Sequence, residues 1–141
     1  MINIGIVGSR LRNGNDDFII VYETFRKLLC KYKKVTIISG GCPVGADSFA
    51  EIIAKQKSVP IHIYYPDKEN LDQNLLKSNP RIAFTEIYYE RNKLIADVSD
   101  ILIACVFPNR KGGTEHTIKC FLQIEKLPEQ EAIQKGKLIL V

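Results

Sequence analysis

Val35-Thr36-Ile37-Ile38-Ser39-Gly40-Gly41 decides the fold of this chain, because a strand pattern of β-branched residues ends there in two glycines. A helical pattern, Ala46-Asp47-Ser48-Phe49-Ala50-Glu51, follows soon after it. Glycines between a strand and a helix let the backbone approach a ligand closely, and the free N–H groups and the helix dipole favour an anion. The stretch therefore predicts a strand–loop–helix unit with a phosphate-binding turn.

Two more turns of this kind occur in the chain. Gly112-Gly113 follows the strand pattern 101–105 and precedes a helical pattern, and Gly8-Ser9-Arg10 follows the short aliphatic strand 2–7. In an open α/β sheet the ligand lies beyond the carboxyl ends of the strands. All three glycine turns fall on that edge, so the sequence favours a nucleotide-like small molecule whose phosphate is held there.

The composition is that of an ordinary globular domain. The 141 residues are 45% hydrophobic and 26% charged, with a formal net charge of +4. No apolar run approaches the ~20 residues that a membrane span needs, and the N-terminus lacks the pattern of a signal peptide. We therefore expect a single domain over residues 1–141, located in the cytoplasm and without a membrane partner. The mild positive charge suits an anionic ligand.

The four cysteines show no Cys-x-x-Cys spacing, which argues against a zinc site and against a disulfide framework. Cys30, Cys105 and Cys120 lie in apolar segments, so we expect buried thiols at these positions. Cys42 lies in the first glycine turn. The sequence predicts no metal site and no resident cofactor.

Strand and helix patterns alternate along the whole chain. The predicted strands are 2–7, 35–38, Ile61 to Tyr65, 101–105 and Lys137 to Val141. The predicted helices are Phe18 to Tyr32, a segment around Ala46 to Ile53, roughly 84–98, and Thr114 to about Glu125. Short aliphatic strands without strict alternation are typical of a sheet covered on both faces. This order predicts an α/β fold, a Rossmann-like, doubly wound, mostly parallel five-stranded sheet with helices on both faces.

Residues 67–82 interrupt the alternation. They contain the polar stretch Asp67-Lys68-Glu69-Asn70 and then Ser78-Asn79-Pro80. Connections of this length in compact domains are often functional or mobile. We expect an irregular connection here.

Side chains in the first two turns suit a phosphate or a ribose. Ser9 can donate a hydrogen bond to a phosphate, and Arg10 either binds it bidentately or extends into solvent. Gly45 permits a tight turn into the second helix. Asp47 either caps that helix or accepts a hydrogen bond from a ribose hydroxyl.

The third helix has an arginine at a position where its periodicity predicts an apolar residue. Position 91 completes a stripe made of Phe84, Ile87, Tyr88, Leu94, Ile95 and Val98. A guanidinium on such a stripe loses hydration unless an acid or an anion pairs with it. Glu90 lies about 100° away around the helix, so it is a poor partner. We favour a ligand-facing Arg91, supported by Asn92, over a side chain that reaches solvent along the sheet edge.

The third glycine turn brings further polar candidates. Lys111 adds a positive charge beside the glycines, and Thr114 offers both an N-cap and a phosphate-binding hydroxyl. Glu115 is favoured in a first helical turn by the dipole alone, or it acts as a general base. We expect His116 to be a bystander rather than a participant.

In this order, the motifs resemble those of the SLOG superfamily, Rossmann-like domains that include the Smf/DprA DNA-processing proteins and the LOG cytokinin-activating enzymes. The resemblance covers roughly residues 4–120 and rests on the three glycine turns, Tyr65-Pro66 and Glu90-Arg91-Asn92-Lys93-Leu94-Ile95-Ala96. It implies a nucleotide-binding domain in which Arg91 and Gly112-Gly113-Thr114 hold the ligand. The third turn departs from the LOG loop, because Lys111 replaces a proline, a third glycine is missing, and the acid, Glu115, directly follows the threonine instead of standing later in the helix.

Three functions are therefore in competition. The first is binding of a nucleotide or nucleotide-derived phosphorylated ligand. The second, implied by LOG enzymes, is hydrolysis of the N-glycosidic bond of a nucleoside 5′-monophosphate, with Arg91 on the phosphate and Glu115 beside the reacting carbon. The third, implied by DprA, is binding of single-stranded DNA.

Self-association is also expected, because the chain has more large apolar side chains than one core requires. The residues that suggest it are Tyr88, Tyr89, Phe121 and Leu122.

Overall fold

The computed structural model describes residues 1–141, and a five-stranded sheet lies at its centre. The strands are β1 (Ile2–Gly8), β2 (Val35–Ser39), β3 (Ile61–Ile63), β4 (Ile101–Cys105) and β5 (Leu138–Leu140). Every neighbouring pair is parallel, and the strand order is β3-β2-β1-β4-β5. The Rossmann-like, doubly wound fold is confirmed, and the sheet is parallel throughout.

Helices cover both faces of this sheet. They are α1 (Asn15–Tyr32), α2 (Ala46–Lys57), α3 (Gln73–Ser78), α4 (Pro80–Val98), α5 (Gly113–Glu125) and α6 (Glu129–Gln134). Phe25 of α1 and Phe49 of α2 pack in the core on one face, while Ile95, Phe121 and Ala132 of α4, α5 and α6 pack in the core on the other. No helix combines the length and the apolar character needed to cross a bilayer.

The order of the strands creates a switch point beside β1. The chain builds outward from β1 to β2 and β3, and then α4 crosses back so that β4 lies on the other side of β1. Ligand crevices in doubly wound sheets occur where the strand order reverses in this way. The loops that follow β1 and β4 leave the sheet on either side of that point.

The prediction of an irregular connection over residues 67–82 is wrong. This segment contains a 3-10 turn (Lys68–Asn70) and α3, and α4 begins at Pro80. The side chains of Asp72 and Asn79 accept hydrogen bonds from backbone N–H groups in the first turns of α3 and α4. Two capping residues and a proline in the first turn therefore define these helix starts without any apolar periodicity.

Other boundaries differ because hydrogen bonding rather than side-chain pattern decides them. β3 ends at Ile63, since β2 ends at Ser39 and only the Tyr64 N–H still bonds to the Ser39 carbonyl. α5 begins at Gly113 instead of Thr114. α6 was not predicted, because its six residues bury only one side chain and so show no helical stripe.

Burial corrects two expectations about apolar residues. Cys30 is exposed on α1, whereas Cys105 and Cys120 are buried as predicted. Phe121 is fully buried in the core and is not available for contact with a second copy. Tyr88 and Tyr89 are exposed, and self-association remains a prediction.

Candidate functional site

A cleft of about 1170 Å³ opens at the carboxyl edge of the sheet. The loops that follow β1, β2 and β4 form its floor, and α4 forms one wall. Because these loops contain glycines, much of the floor is backbone rather than side chain. This surface has the chemistry of an anion site.

The structure brings most of the predicted ligand-binding residues together in this cleft. Those that line it are Gly8, Ser9, Arg10, Gly40, Gly41, Asp47, Arg91, Asn92, Lys111, Gly112, Gly113 and Thr114. Ser39 and Gly45 are buried behind the floor, and Glu115 does not line the cleft either.

A side chain of the protein closes the turn after β2. Asp47 Oδ2 accepts a hydrogen bond of 3.0 Å from the Cys42 backbone N–H. Asp47 does not cap α2, whose N-cap is Gly45 with no side-chain partner. A Cβ at Gly40 would lie 2.9 Å from Asp47 Oδ2 and 2.7 Å from Arg91 Nη1, so a larger residue there would displace the ends of both side chains. The turn that first suggested a phosphate cradle is thus already occupied by an internal carboxyl group.

Burial raises the pKa of the Asp47 carboxyl above its ordinary value, and the Cys42 N–H, the Arg91 charge and the Gly40 N–H offset this only in part. The Ser39 hydroxyl lies close by, fully buried and without a well-formed hydrogen bond. Asp47 is the only carboxyl group that lines the cleft. It therefore keeps its proton to higher pH than an exposed aspartate, and a bound anion would raise its pKa further.

Arg91 reaches from α4 to the turn after β2. Its Nη1 donates hydrogen bonds to the carbonyl oxygens of Gly40 at 2.5 Å and Tyr64 at 3.4 Å. Its Nε donates to Asn92 Oδ1 at 3.1 Å, and the guanidinium lies 5.6 Å from the centre of the Tyr88 ring. Arg91 thus joins α4 to the floor of the cleft, and its charge faces the cleft without an ion-pair partner.

Asn92, rather than Arg91, lies in the buried stripe of α4. Its side chain is 6% exposed, and its Nδ2 donates to the Gly113 carbonyl at 3.4 Å. The predicted stripe is wrong in part, because Phe84, Tyr88 and Leu94 are exposed. The buried positions of the helix are Ala83, Ile87, Asn92, Ile95 and Ala96.

The turn after β4 is the most open of the three. Gly112 has φ 96° and ψ −159°, a conformation that essentially only glycine adopts, and it is the N-cap of α5 without a side-chain partner. A Cβ at Gly112 would meet no atom within 4 Å, and one at Gly113 would meet only Asn92 Nδ2 at 3.7 Å. Because no side chain caps α5, its first N–H groups are available to an anion, beside the Thr114 hydroxyl.

The turn after β1 contributes a hydroxyl and a cation. Ser9 Oγ accepts a hydrogen bond from the Leu11 N–H at 3.2 Å, which leaves the hydroxyl hydrogen free to donate to a ligand. Arg10 is exposed and lines the cleft.

Glu115 is held away from the cleft by a separate ion-pair network. Its two carboxylate oxygens accept hydrogen bonds from Nε and Nη2 of Arg110, and Arg110 Nη2 also donates to Glu129 of α6 at 2.6 Å. These acids raise the pKa of Arg110 above its ordinary value. The network ties the loop before α5 to α6, so Glu115 has a structural partner and no access to a ligand in the cleft.

His116 packs between α4 and α5. Its ring stacks on Tyr89 with centroids 3.7 Å apart and planes 8° apart. Cys120 Sγ lies 3.7 and 4.0 Å from the two ring nitrogens, so it does not lie along the lone pair of either one. Burial and nearby lysines lower the pKa of His116, which keeps the ring neutral near pH 7.

One face of α4 was missed at the sequence level. Arg81, Thr85 and Tyr88 line the cleft together with Asn92, at helical intervals of three and four residues. Polar residues at this helical spacing indicate a side of α4 that faces the cleft. The prediction followed the apolar residues next to them and therefore assigned a different face. Tyr65 and Lys68, near the end of β3, also line the cleft.

Comparison with known proteins supports the fold. No protein-family model and no curated protein matches the chain. Among solved structures, it is similar to the molybdenum cofactor carrier protein MCP from Chlamydomonas reinhardtii, with a TM-score of 0.57 and 17% identity. That similarity covers 100% of this chain and 90% of the other. The shared feature is the Rossmann-like architecture.

A second solved structure is a predicted subunit of a tRNA methyltransferase from Methanocaldococcus jannaschii. It is 16% identical, the match covers 100% of this chain and 67% of the other, and the TM-score is 0.36. This value is too low to support any statement about the present protein.

Proposed function

We propose that this chain binds a nucleotide or a nucleotide-derived phosphorylated ligand in the cleft. The distribution of charge carries this proposal. None of the ion pairs in the structure involves a cation of the cleft. The cations that line the cleft are Arg10, Lys68, Arg81, Arg91 and Lys111. Asp47 is the only acid in that lining, and such an excess of cations on one concave surface creates a positive potential that attracts an anion.

The phosphate would lie at the N-terminus of α5. Backbone N–H groups there have no side-chain cap, and the Thr114 hydroxyl and the Lys111 ammonium group adjoin them. The dipole of a helix with more than three turns favours an anion at this end. Arg91 and Ser9 would approach the same phosphate or the adjoining sugar from α4 and from the turn after β1.

We further propose that the chain is a small member of the SLOG superfamily. The Rossmann-like fold and the arrangement of three glycine turns around one cleft support this assignment. The similar solved structure is that of a cofactor carrier protein, which is compatible with binding without turnover.

Native mass spectrometry of the freshly purified protein tests the proposal directly. We expect a mass excess that disappears on denaturation and a released small molecule that contains phosphate. If the protein is purified without a ligand, calorimetric titration with nucleoside monophosphates and with inorganic phosphate follows. Absence of binding in every titration would contradict the proposed function.

Replacement of Arg91 by alanine is expected to weaken ligand binding by at least about tenfold, since a charge-assisted contact contributes roughly 1.5–3 kcal/mol. Arg26→Ala is the matched control, because Arg26 is exposed on α1 and forms only a surface pair with Glu23. Calorimetry gives the affinity, and circular dichroism verifies that both variants fold. Unchanged affinity in Arg91→Ala would remove Arg91 from the site.

Hydrolysis of a nucleoside 5′-monophosphate is the second candidate, and the position of Asp47 favours it. A general acid that protonates the departing base must face the substrate, and a pKa raised above that of an ordinary carboxyl group favours this role. Asp47 lines the cleft and has a raised pKa, whereas Glu115 is bound by Arg110 outside it. If the protein cleaves the N-glycosidic bond, we therefore propose Asp47 as the general acid, and we assign no catalytic role to Glu115.

The two carboxyl groups can be separated by amide variants. In Asp47→Asn the turnover of a nucleoside monophosphate is expected to fall by about 100-fold or more, since proton transfer by a positioned side chain contributes roughly 10²–10⁴. Glu115→Gln is expected to retain activity within severalfold. The reverse result would return the catalytic role to Glu115, and absence of turnover in the wild type would exclude this candidate.

A further inference from the structure

One face of α4 lines the cleft over most of the length of the helix. Ile95, Asn92, Tyr88, Thr85 and Arg81 follow one another at intervals of three or four residues, and all of them border the cleft. Residues at this spacing lie one above the other on a helix. The face is therefore continuous from the sheet to the N-terminal end of α4.

This face becomes more exposed with distance from the sheet. Ile95 is 1% exposed and Asn92 is 6% exposed, whereas Tyr88 is 38% exposed and Arg81 is also exposed. At a rise of about 1.5 Å per residue, Arg81 lies roughly 16 Å along the helix axis from Asn92. α4 thus extends past the edge of the sheet as a wall, with a cation near its outer end.

The cleft has positive charge at two distances from the sheet, an inner level close to the strand ends and an outer level near the N-terminal end of α4. Lys111 and Arg91 lie at the inner level, around the turn after β4 and the adjoining turn of α4. Arg81 lies at the outer level, and Lys68 of the 3-10 turn adds a second cation to the lining. Neither Arg81 nor Lys68 takes part in an ion pair.

The cleft is larger than most small-molecule sites. Its volume of about 1170 Å³ lies above the roughly 300–1,000 Å³ that is usual for small-molecule sites. Tyr88 and Thr85 line the cleft between Arg91 and Arg81, and the Thr85 hydroxyl donates a hydrogen bond to the Arg81 carbonyl at 2.8 Å. A ligand confined to the inner level would leave Arg81 in water, where its charge adds little to binding.

We propose that the ligand carries two separate anionic groups, one bound at the N-terminus of α5 and the other at Arg81. Its chemical class is a short nucleotide chain, with a nucleoside unit against Tyr88 between the two anions. Arg81 then determines specificity, because it selects ligands by length. This inference rests on the proposed function, since it takes the N-terminus of α5 as a phosphate site.

The test uses 5′-phosphorylated mono-, di- and trinucleotides of adenosine and of thymidine, titrated by calorimetry. The wild type is expected to bind a di- or trinucleotide at least about tenfold more tightly than the mononucleotide, as one charge-assisted contact allows. In Arg81→Gln this gain is lost, because affinity for the di- and trinucleotide falls at least about tenfold more than affinity for the mononucleotide does. Arg26→Gln, which makes the same change in net charge on α1, is expected to behave as the wild type.

Each other outcome has a distinct meaning. Equal affinities of the wild type for all three lengths would overturn the second anion site and leave the proposed function intact. Absence of binding for every probe would overturn the proposed function and this inference together. If mononucleotide affinity in Arg81→Gln falls as much as affinity for the longer probes, Arg81 does not distinguish ligands by length, and its role as the second anion site is overturned. Affinity that keeps rising up to a strand of about 20 nucleotides would overturn the assignment to a short chain and favour single-stranded DNA.

Discussion

Replacement of Gly45 by alanine is expected to lower the free energy of unfolding by about 3 kcal/mol or more. Gly45 has φ 78° and ψ −152°, a region essentially restricted to glycine, where another residue costs roughly 1–3 kcal/mol. In addition, the new Cβ would lie 2.9 Å from the Ser9 carbonyl oxygen, which is backbone and cannot rotate away. The turn after β1 would have to move, and urea denaturation followed by circular dichroism measures the cost.

Gly14→Ala is the matched control for this variant. Gly14 is also the N-cap of a helix, so both substitutions place alanine at a position where it caps poorly. Gly14, however, has φ −88°, and its Cβ would meet only Asp17 Oδ2 at 3.6 Å. We expect a loss below about 1 kcal/mol for Gly14→Ala. Similar losses in the two variants would show that backbone conformation and the contact with Ser9 do not matter at Gly45.

The sheet could be predicted from the sequence because parallel strands buried on both faces leave a strong local pattern. β4 is buried at every position from Ile101 to Cys105, and its run of aliphatic residues reflects this. α3 and α6 could not be predicted in the same way. They bury at most one side chain each, so α3 is defined by its cap Asp72 and its backbone hydrogen bonds, and α6 by backbone hydrogen bonds alone.

The cleft itself could be predicted, since the carboxyl ends of parallel strands meet at one edge whatever the details of packing. Which of the glycine turns is open to a ligand could not be predicted. The turns after β2 and β4 look alike in sequence, yet Asp47 occupies the first and nothing caps the second. The position of a single carboxyl group, which depends on how α2 leaves its turn, decides which turn is open to a ligand.

The role of Glu115 could not be predicted from the sequence either. Its place in the first turn of α5 is consistent with a catalytic base and with a dipole-stabilised acid alike. The partner that decides between them, Arg110, lies five residues earlier in a backbone conformation with φ 53°. Local sequence does not reveal that Arg110 turns toward Glu115 and Glu129 and away from the cleft.

The open turn after β4 leads to the second large prediction, in which fold stability and ligand affinity change in opposite directions. Thr114→Asp places a carboxylate in the first turn of α5, where the helix dipole is expected to stabilise the fold by about 0.3–1 kcal/mol. The same carboxylate would take the N–H groups that a phosphate needs and would repel the phosphate. We expect affinity for the ligand to fall by at least about 100-fold, or roughly 2.8 kcal/mol.

Asn15→Asp is the control for the added charge, because Asn15 begins α1, is exposed and lies outside the cleft. Urea denaturation and calorimetry with the co-purified nucleotide, or with adenosine 5′-monophosphate, measure the two quantities. Asn15→Asp is expected to bind as the wild type does. Since Thr114→Asp is expected to remain folded, its loss of binding cannot be a loss of structure. Wild-type affinity in Thr114→Asp would therefore show that the N-terminus of α5 is not the anion site.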